Sequence, residues 1–335
     1  MQIERITAAP ASPPFPIYSD ATEELLRAHP TETAERDPAV AHILGVLSGY
    51  AYADTATVAM MASRLGFGES VCVRVAQTVD AMLIFSTAYL LQSRCGRVAI
   101  LCYRGTEPAN LGNWFGDADV GSQTIDAAGE RLIVHAGFYR NVRATRWPVL
   151  ELLHAAARGQ SLADVSARTA HPLEALYITG HSLGGAMAVL FALGLAGHED
   201  HRILRDKLRA VYTFGQPLVA GVPPPEIAAA GHKLFRHVLG RDIIPSLPPS
   251  VWGSLQHIGH EFHYADGQWQ RRDGVTPQLA GFREASRATL ALLAPARKRD
   301  AQRYTMADHT PHQYIAALRP ACRVTEFGDQ FDDKG

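Results

Sequence analysis

The sequence predicts an α/β fold in which a mostly parallel central sheet is covered by helices on both faces. Three observations carry that expectation. Leu173–Thr179 (LEALYIT) and Arg209–Phe214 (RAVYTF) are short, continuous apolar runs flanked by helix-like sequence, the pattern of strands buried on both sides. Between them, ITGHSLGGAMAVLFALGLAG (Ile178–Gly197) reads as strand, abrupt turn and helix with no linker. The 335 residues are 47% hydrophobic, enough to bury a large core.

Taken in order, residues 1–20 carry four prolines and read as an irregular arm ahead of a single domain over residues 21–320. Residues 21–65 look helical, with Ala39–Asp54 (AVAHILGVLSGYAYAD) as a packing segment. Ala88–Gln92 and Arg97–Tyr103 read as strands of a hairpin turning at Gly96. Ala186–Ala196 is apolar on every side, as suits a helix lying on a central sheet. Lys233–Leu239 is a further strand. His260–Tyr264 and Gln268–Arg272 flank the turn signal ADG and read as a second hairpin. Residues 321–335 form an acidic tail. No internal repeat stands out.

Composition excludes several function classes. Lys plus Arg is 32 against 33 for Asp plus Glu, a net charge of −1, so no basic excess points to nucleic acid or an anionic membrane surface. The longest apolar run, Ala81–Leu91, falls short of the roughly 20 residues that span a bilayer, so no transmembrane segment is expected. The opening MQIERITAAPASPPFP has no apolar core of the secretory kind. A cytoplasmic protein is expected, with export by a non-classical route left open. Cys72, Cys95, Cys102 and Cys322 are scattered and suit neither a zinc site nor a disulfide framework.

The chemistry concentrates in three places. Gly180, His181, Ser182, Leu183 and Gly184 fit G-x-S-x-G, the nucleophile elbow. There a strained strand-to-helix turn exposes a serine hydroxyl, and flanking glycines let strand and helix pass closely. A serine nucleophile needs a base, and the base needs a carboxylate to orient it. On a sheet of this kind the acid belongs just past a strand, which selects Asp242 over Asp206 and Asp266. For the base, Thr310, Pro311 and Gln313 read as N-cap, N1 and N3 of a helix, with Thr310 and Gln313 forming a capping box. His309 then precedes the helix and His312 sits inside its first turn, so His309 is preferred. The backbone N–H groups of Leu183 and of Thr106, in the loop after strand 97–103, are the expected oxyanion donors. His257, His260, His263 and Glu261 could suggest a metal. The H-E-x-x-H helix pattern is absent, however, and neighbours on a strand point to opposite faces; no metal and no cofactor is assigned.

These blocks, in order, resemble the class 3 (fungal-type) triacylglycerol lipases of the α/β-hydrolase fold. YRGT followed by NW and Asp117, VHAGF (Val134–Phe138), GHSLGG with TFGQPLVAG, RDIIPSLPP and DHTPHQYIAAL match over about residues 40–318. The resemblance implies Ser182 as nucleophile, Asp242 as acid, His309 as base, and Thr106 with Leu183 as the oxyanion hole. It also implies ester hydrolysis and a lid. Residues 267–305 do not resemble the family. Leu111, Trp114 and Phe115 stand at helical spacing between glycines. They read either as permanent core or as a lid that opens beside Leu247 and Trp252 on transient contact with a lipid interface. The expected substrate is an acylglycerol or other apolar ester. The alternatives are phospholipase A1-like or acyltransferase activity on the same triad, and a non-catalytic hydrolase-like binding protein.

Overall fold

A computed structural model of the chain describes residues 1–6, 13–19, 21–30, 35–106, 121–127, 129–250, 253–272, 276–280, 305–321 and 323–328. In chain order the elements are β1 (Gln2–Ile6), α1 (Thr22–Ala28), α2 (Pro38–Tyr50), α3 (Thr55–Arg64), β2 (Val71–Val79), β3 (Ile84–Gln92) and β4 (Val98–Tyr103). There follow β5 (Ser122–Ala127), β6 (Glu130–His135), α4 (Ala136–Ala157), β7 (Ala175–His181), α5 (Leu183–Ala196), α6 (Arg202–Lys207) and β8 (Leu208–Phe214). The last are α7 (Pro225–Ala229), β9 (Leu234–Leu239), β10 (His260–Ala265), β11 (Gln268–Arg272) and α8 (Pro311–Leu318).

One sheet runs in the order β1-β2-β3-β4-β7-β8-β9-β10-β11, and β5 and β6 form a separate antiparallel ribbon. From β4 to β10 every neighbouring pair is parallel. Antiparallel strands close both edges, β1 to β3 on one side and β11 on the other. Strands β7 and β8 sit in the middle and are buried almost throughout, which explains why they read as unbroken apolar runs. Each face carries its own core. Helices α4 and α5 cover one, with Phe138, Leu153, Met187 and Phe191 against Leu101 and Ile178. Helices α1, α2, α3 and α8 cover the other, with Leu44, Leu47, Met61 and Ile315 against Ile100, Tyr177 and Phe214.

Both sequence hairpins form, β3 with β4 and β10 with β11. The irregular arm expected over residues 1–20 needs correction, because Gln2–Ile6 pair antiparallel with Cys72–Ala76 as the edge of the sheet. This strand is mostly exposed and contributes mainly backbone, with Ile6 alone packed against a core. Its charges are those of a protected edge, so it left no apolar signal. Residues 71–79 alternate instead: Val71, Val73 and Val75 enter one core and Cys72 the other. That period-2 pattern was readable.

Candidate active site

The turn between β7 and α5 holds Ser182 at φ 58° and ψ −129°, a backbone position that non-glycine residues rarely adopt. Its N–H donates to the Phe214 carbonyl (2.9 Å) and its own carbonyl accepts from Gly185 N–H (2.9 Å). The flanking glycines follow from crowding. A Cβ on Gly180 would collide with the backbone of Gly184, and one on Gly184 with the Tyr103 carbonyl. The elbow is thereby wedged between β7 and the end of β4.

Asp242 stands in the turn just beyond β9, where its N–H donates to Leu239 O (2.9 Å). One carboxylate oxygen accepts from Ile244 N–H (2.9 Å). The other accepts from the Tyr314 hydroxyl (2.7 Å) and meets His309 Nδ1 at 2.9 Å. His309 closes a 3-10 turn over Ala307–His309, directly ahead of α8. Its Nε2 lies 2.9 Å from Ser182 Oγ. Serine, histidine and aspartate are all buried. An ionised carboxylate only accepts, so Nδ1 carries the proton and Nε2 offers its lone pair to the serine hydroxyl. Such a chain can draw a proton from Ser182 while Asp242 holds the ring.

The capping box is absent, although the helix starts where it was expected. Thr310 is the N-cap and Pro311 follows at N1, but the Thr310 hydroxyl donates to Ala307 O (3.0 Å) and caps no helical N–H. The hydroxyl thus stabilises the turn carrying His309. His312 is exposed on α8, beside Gln313.

Leu183 is the first residue of α5, so its N–H has no acceptor within the helix. Thr106 follows β4 at the end of the described loop, buried, with no partner for Oγ1 among the described residues. Leu247 is also buried, in a small cluster with Ile243, Ile244 and Leu279. Leu111, Trp114, Phe115 and Trp252 lie outside the described residues. In the alternative metal cluster, Glu261 is committed to Arg236 (3.3 Å) and to Thr276 N–H (2.8 Å) and Oγ1 (3.0 Å). His257 Nε2 is hydrogen-bonded to Pro245 O at 2.7 Å. Among the described residues, no group of three or more histidine, cysteine or acidic side chains could hold a metal ion.

Sequence reasoning missed four members. Tyr314 reaches Asp242 from α8, and burial, then the Asp242 charge, push its hydroxyl well above the usual tyrosine range, so it is held as a donor. His181 is buried with its ring centroid 4.6 Å from that of His309. Its burial, then its neighbour His309, push it well below the usual histidine range, so it is neutral. Tyr52, beyond α2, reaches His181 Nδ1 at 2.9 Å. Gly215 stands at φ 59°, where a Cβ would lie 2.7 Å from Asp242 Oδ2 and 2.8 Å from His309 Nδ1. Gly215 lies directly after the β8 run, which was its available signal.

Residues 100–252 match the Lipase (class 3) family. A lipase of Rhizomucor miehei is 41% identical over 98 residues, 29% of this chain and 26% of that protein. A lipase of Rhizopus niveus is 31% identical over 200 residues, 56% of this chain and 44% of its own length. The chain thus spans less than half the length of these curated relatives in alignment. The solved Rhizomucor miehei lipase propeptide complex superposes with a TM-score of 0.55 at 19% identity, over 90% of this chain and 93% of that one. At that identity the likeness speaks to fold, which is the α/β-hydrolase fold with its mostly parallel sheet. The shared fold and the matched segment, which contains both Ser182 and Asp242, point the same way: over residues 100–252 the chain is similar to the class 3 lipases.

Proposed function

We propose that this protein is a serine carboxylic-ester hydrolase, a lipase, acting on acylglycerols or other apolar esters through an acyl-enzyme on Ser182. The observation that carries the reading is the continuous chain Ser182 Oγ–His309 Nε2 (2.9 Å) and His309 Nδ1–Asp242 Oδ2 (2.9 Å) at a strained elbow. Ser182 Oγ attacks the ester carbonyl as its proton passes to His309 Nε2. The new imidazolium is stabilised by the Asp242 carboxylate. The oxyanion is received by Leu183 N–H and Thr106, beside the N-terminus of α5, whose dipole favours negative charge there. His309 returns the proton to the leaving alcohol. Water, deprotonated by the same nitrogen, then releases the carboxylic acid. No step calls for a further group. The match of residues 100–252 to the class 3 lipases supports the lipid-ester substrate class. No described helix is long and apolar enough to cross a membrane.

Fluorophosphonate labelling of Ser182 and hydrolysis of a p-nitrophenyl ester series test the proposal. Ser182→Ala should lose labelling and about 10⁶ in kcat with an unchanged melting temperature. Activity within tenfold of wild type in the purified variant would overturn it. A triglyceride emulsion assayed beside the series reports the substrate class.

A further inference from the structure

His181, the residue between Gly180 and the nucleophile, spans a gap that the triad does not fill. Its Nε2 lies 2.7 Å from the backbone carbonyl of His309, and its Nδ1 lies 2.9 Å from the Tyr52 hydroxyl. A carbonyl only accepts, so Nε2 carries the proton. Nδ1 must then accept, and the Tyr52 O–H donates to it. Each atom is thereby assigned by its partner: Tyr52 fixes the tautomer of His181, and His181 fixes the backbone of His309. The His181 ring is buried, packs edge-on against Tyr52 and Tyr314, and lies tilted against the His309 ring.

We infer that His181 and Tyr52 are positioning residues that clamp the backbone of the catalytic base, holding His309 Nε2 on Ser182. The inference rests on the proposed hydrolase reading. The base stands at the end of a short 3-10 turn, held locally by Met306 O to His309 N–H (3.1 Å). Its ring contacts to Ser182 and Asp242 fix where the imidazole points. They leave the height of its backbone above the elbow to other contacts. His181 sets that height because it is covalently next to Ser182: one residue carries the nucleophile and its neighbour grips the base. Movement of the elbow therefore carries the base with it. No bond is made or broken by either residue, and neither touches the reacting atoms.

Three variants separate this role from packing. His181→Phe keeps a ring and removes both hydrogen bonds. His181→Gln places an amide N–H where Nε2–H stood and restores the grip on the His309 carbonyl. Tyr52→Phe removes only the hydroxyl that sets the tautomer. Loss of the grip lets the base drift by a fraction of an ångström, so kcat on a soluble p-nitrophenyl ester should fall about 30- to 100-fold in His181→Phe with KM unchanged. His181→Gln should recover to within about tenfold of wild type, and Tyr52→Phe should lose about three- to tenfold. The far-downfield proton resonance of His309 Nδ1–H, bonded to Asp242, should broaden in His181→Phe and persist in His181→Gln. A merely structural role would lower the melting temperature and leave that resonance and the kcat-to-KM split unmoved. Equal kcat in the Phe and Gln variants, or in Phe and wild type, overturns the clamp. If His181→Phe does not fold, the Gln and Tyr52→Phe variants decide it: wild-type kcat in Tyr52→Phe with an unaltered resonance overturns it. Failure of wild-type Ser182 to react with fluorophosphonate would instead overturn the hydrolase reading, a separate outcome.

Discussion

Substitution of Gly215 by alanine should disable the site far more than it destabilises the fold. Gly215 follows β8 with φ 59°, and its N–H donates to His237 O (3.0 Å). A methyl there would stand 2.7 Å from Asp242 Oδ2, 2.8 Å from His309 Nδ1 and 2.9 Å from His309 Cε1. Carbon against oxygen settles no closer than about 3.3 Å, so acid and base would each have to retreat by roughly half an ångström. Catalytic geometry tolerates displacements of about that size at most, and a 1 Å misplacement costs about 10²-fold. The expected loss in kcat is therefore about 10²-fold. The left-handed backbone adds a destabilisation of about 1–2 kcal/mol for alanine, which lowers the melting temperature by a few degrees.

The assay pairs kcat on a soluble ester and the rate of fluorophosphonate labelling with a thermal melt. Gly194→Ala is the control. Gly194 lies inside α5, and a Cβ there meets nothing within 4 Å, so activity should stay at wild type with a stability gain of about 0.5–1 kcal/mol. A Gly215→Ala enzyme with kcat within threefold of wild type would refute the reasoning, since the methyl cannot be placed without moving the pair.

Two further predictions concern Tyr314 and the buried histidines. Tyr314→Phe removes the hydroxyl that donates to Asp242 Oδ2 (2.7 Å) and accepts from Leu239 N–H (3.1 Å); stranding that buried N–H should cost about 1–3 kcal/mol in urea unfolding, and kcat should fall about tenfold. Stability should also fall on acidification. Burial lowers His42 to about 3 and, foremost among the causes, sets His181, His237 and His257 well below the usual histidine value of 6.5. The unfolded chain therefore binds protons below pH 6.5 that the native state refuses, so stability is full above that pH and lost as pH falls beneath it. Each histidine contributes a slope of about 1.4 kcal/mol per pH unit in that window. Urea midpoints at pH 7.5 and 5.0 check it, and an unchanged midpoint would contradict it.

What the sequence showed and what it hid divide along the range of the contacts. The elbow is local: a buried strand, a turn with glycines at both flanks and a buried helix lie within twenty consecutive residues. Asp242 and His309 were legible for a similar reason, since each stands at the end of an element whose boundary has its own signal. Tyr314, His181 and Tyr52 carried no such signal. Tyr314 reads as one more apolar position of α8, yet its hydroxyl crosses 72 residues to Asp242. His181 reads as the variable letter of G-x-S-x-G, and its partners are 128 and 129 residues away. Strand β1 was hidden by the opposite circumstance. An edge strand satisfies its backbone against β2 while leaving its side chains mostly exposed, so its two isoleucines form no apolar run.

The same division explains how the acid and base stay paired. Their mutual contact is 2.9 Å, but that contact does not by itself hold the two turns together. The turn carrying His309 is bound to the turn carrying Asp242 through backbone. Thr305 N–H donates to Arg241 O (2.9 Å), and Arg241 N–H donates to the Asp308 carboxylate (2.8 Å). Tyr314 then spans from α8 to Asp242 and to the end of β9. Asp308 and Arg241 are the chain neighbours of the base and the acid, as His181 is the neighbour of the nucleophile. The turns of the base and the acid are thus joined by contacts of the residues adjacent to them, while Asp242 is held in addition by Ile244 N–H and Tyr314. Charge on the imidazole can then rise and fall during a reaction without releasing the turns, because the bonds of Arg241 to Thr305 and Asp308 do not involve the imidazole.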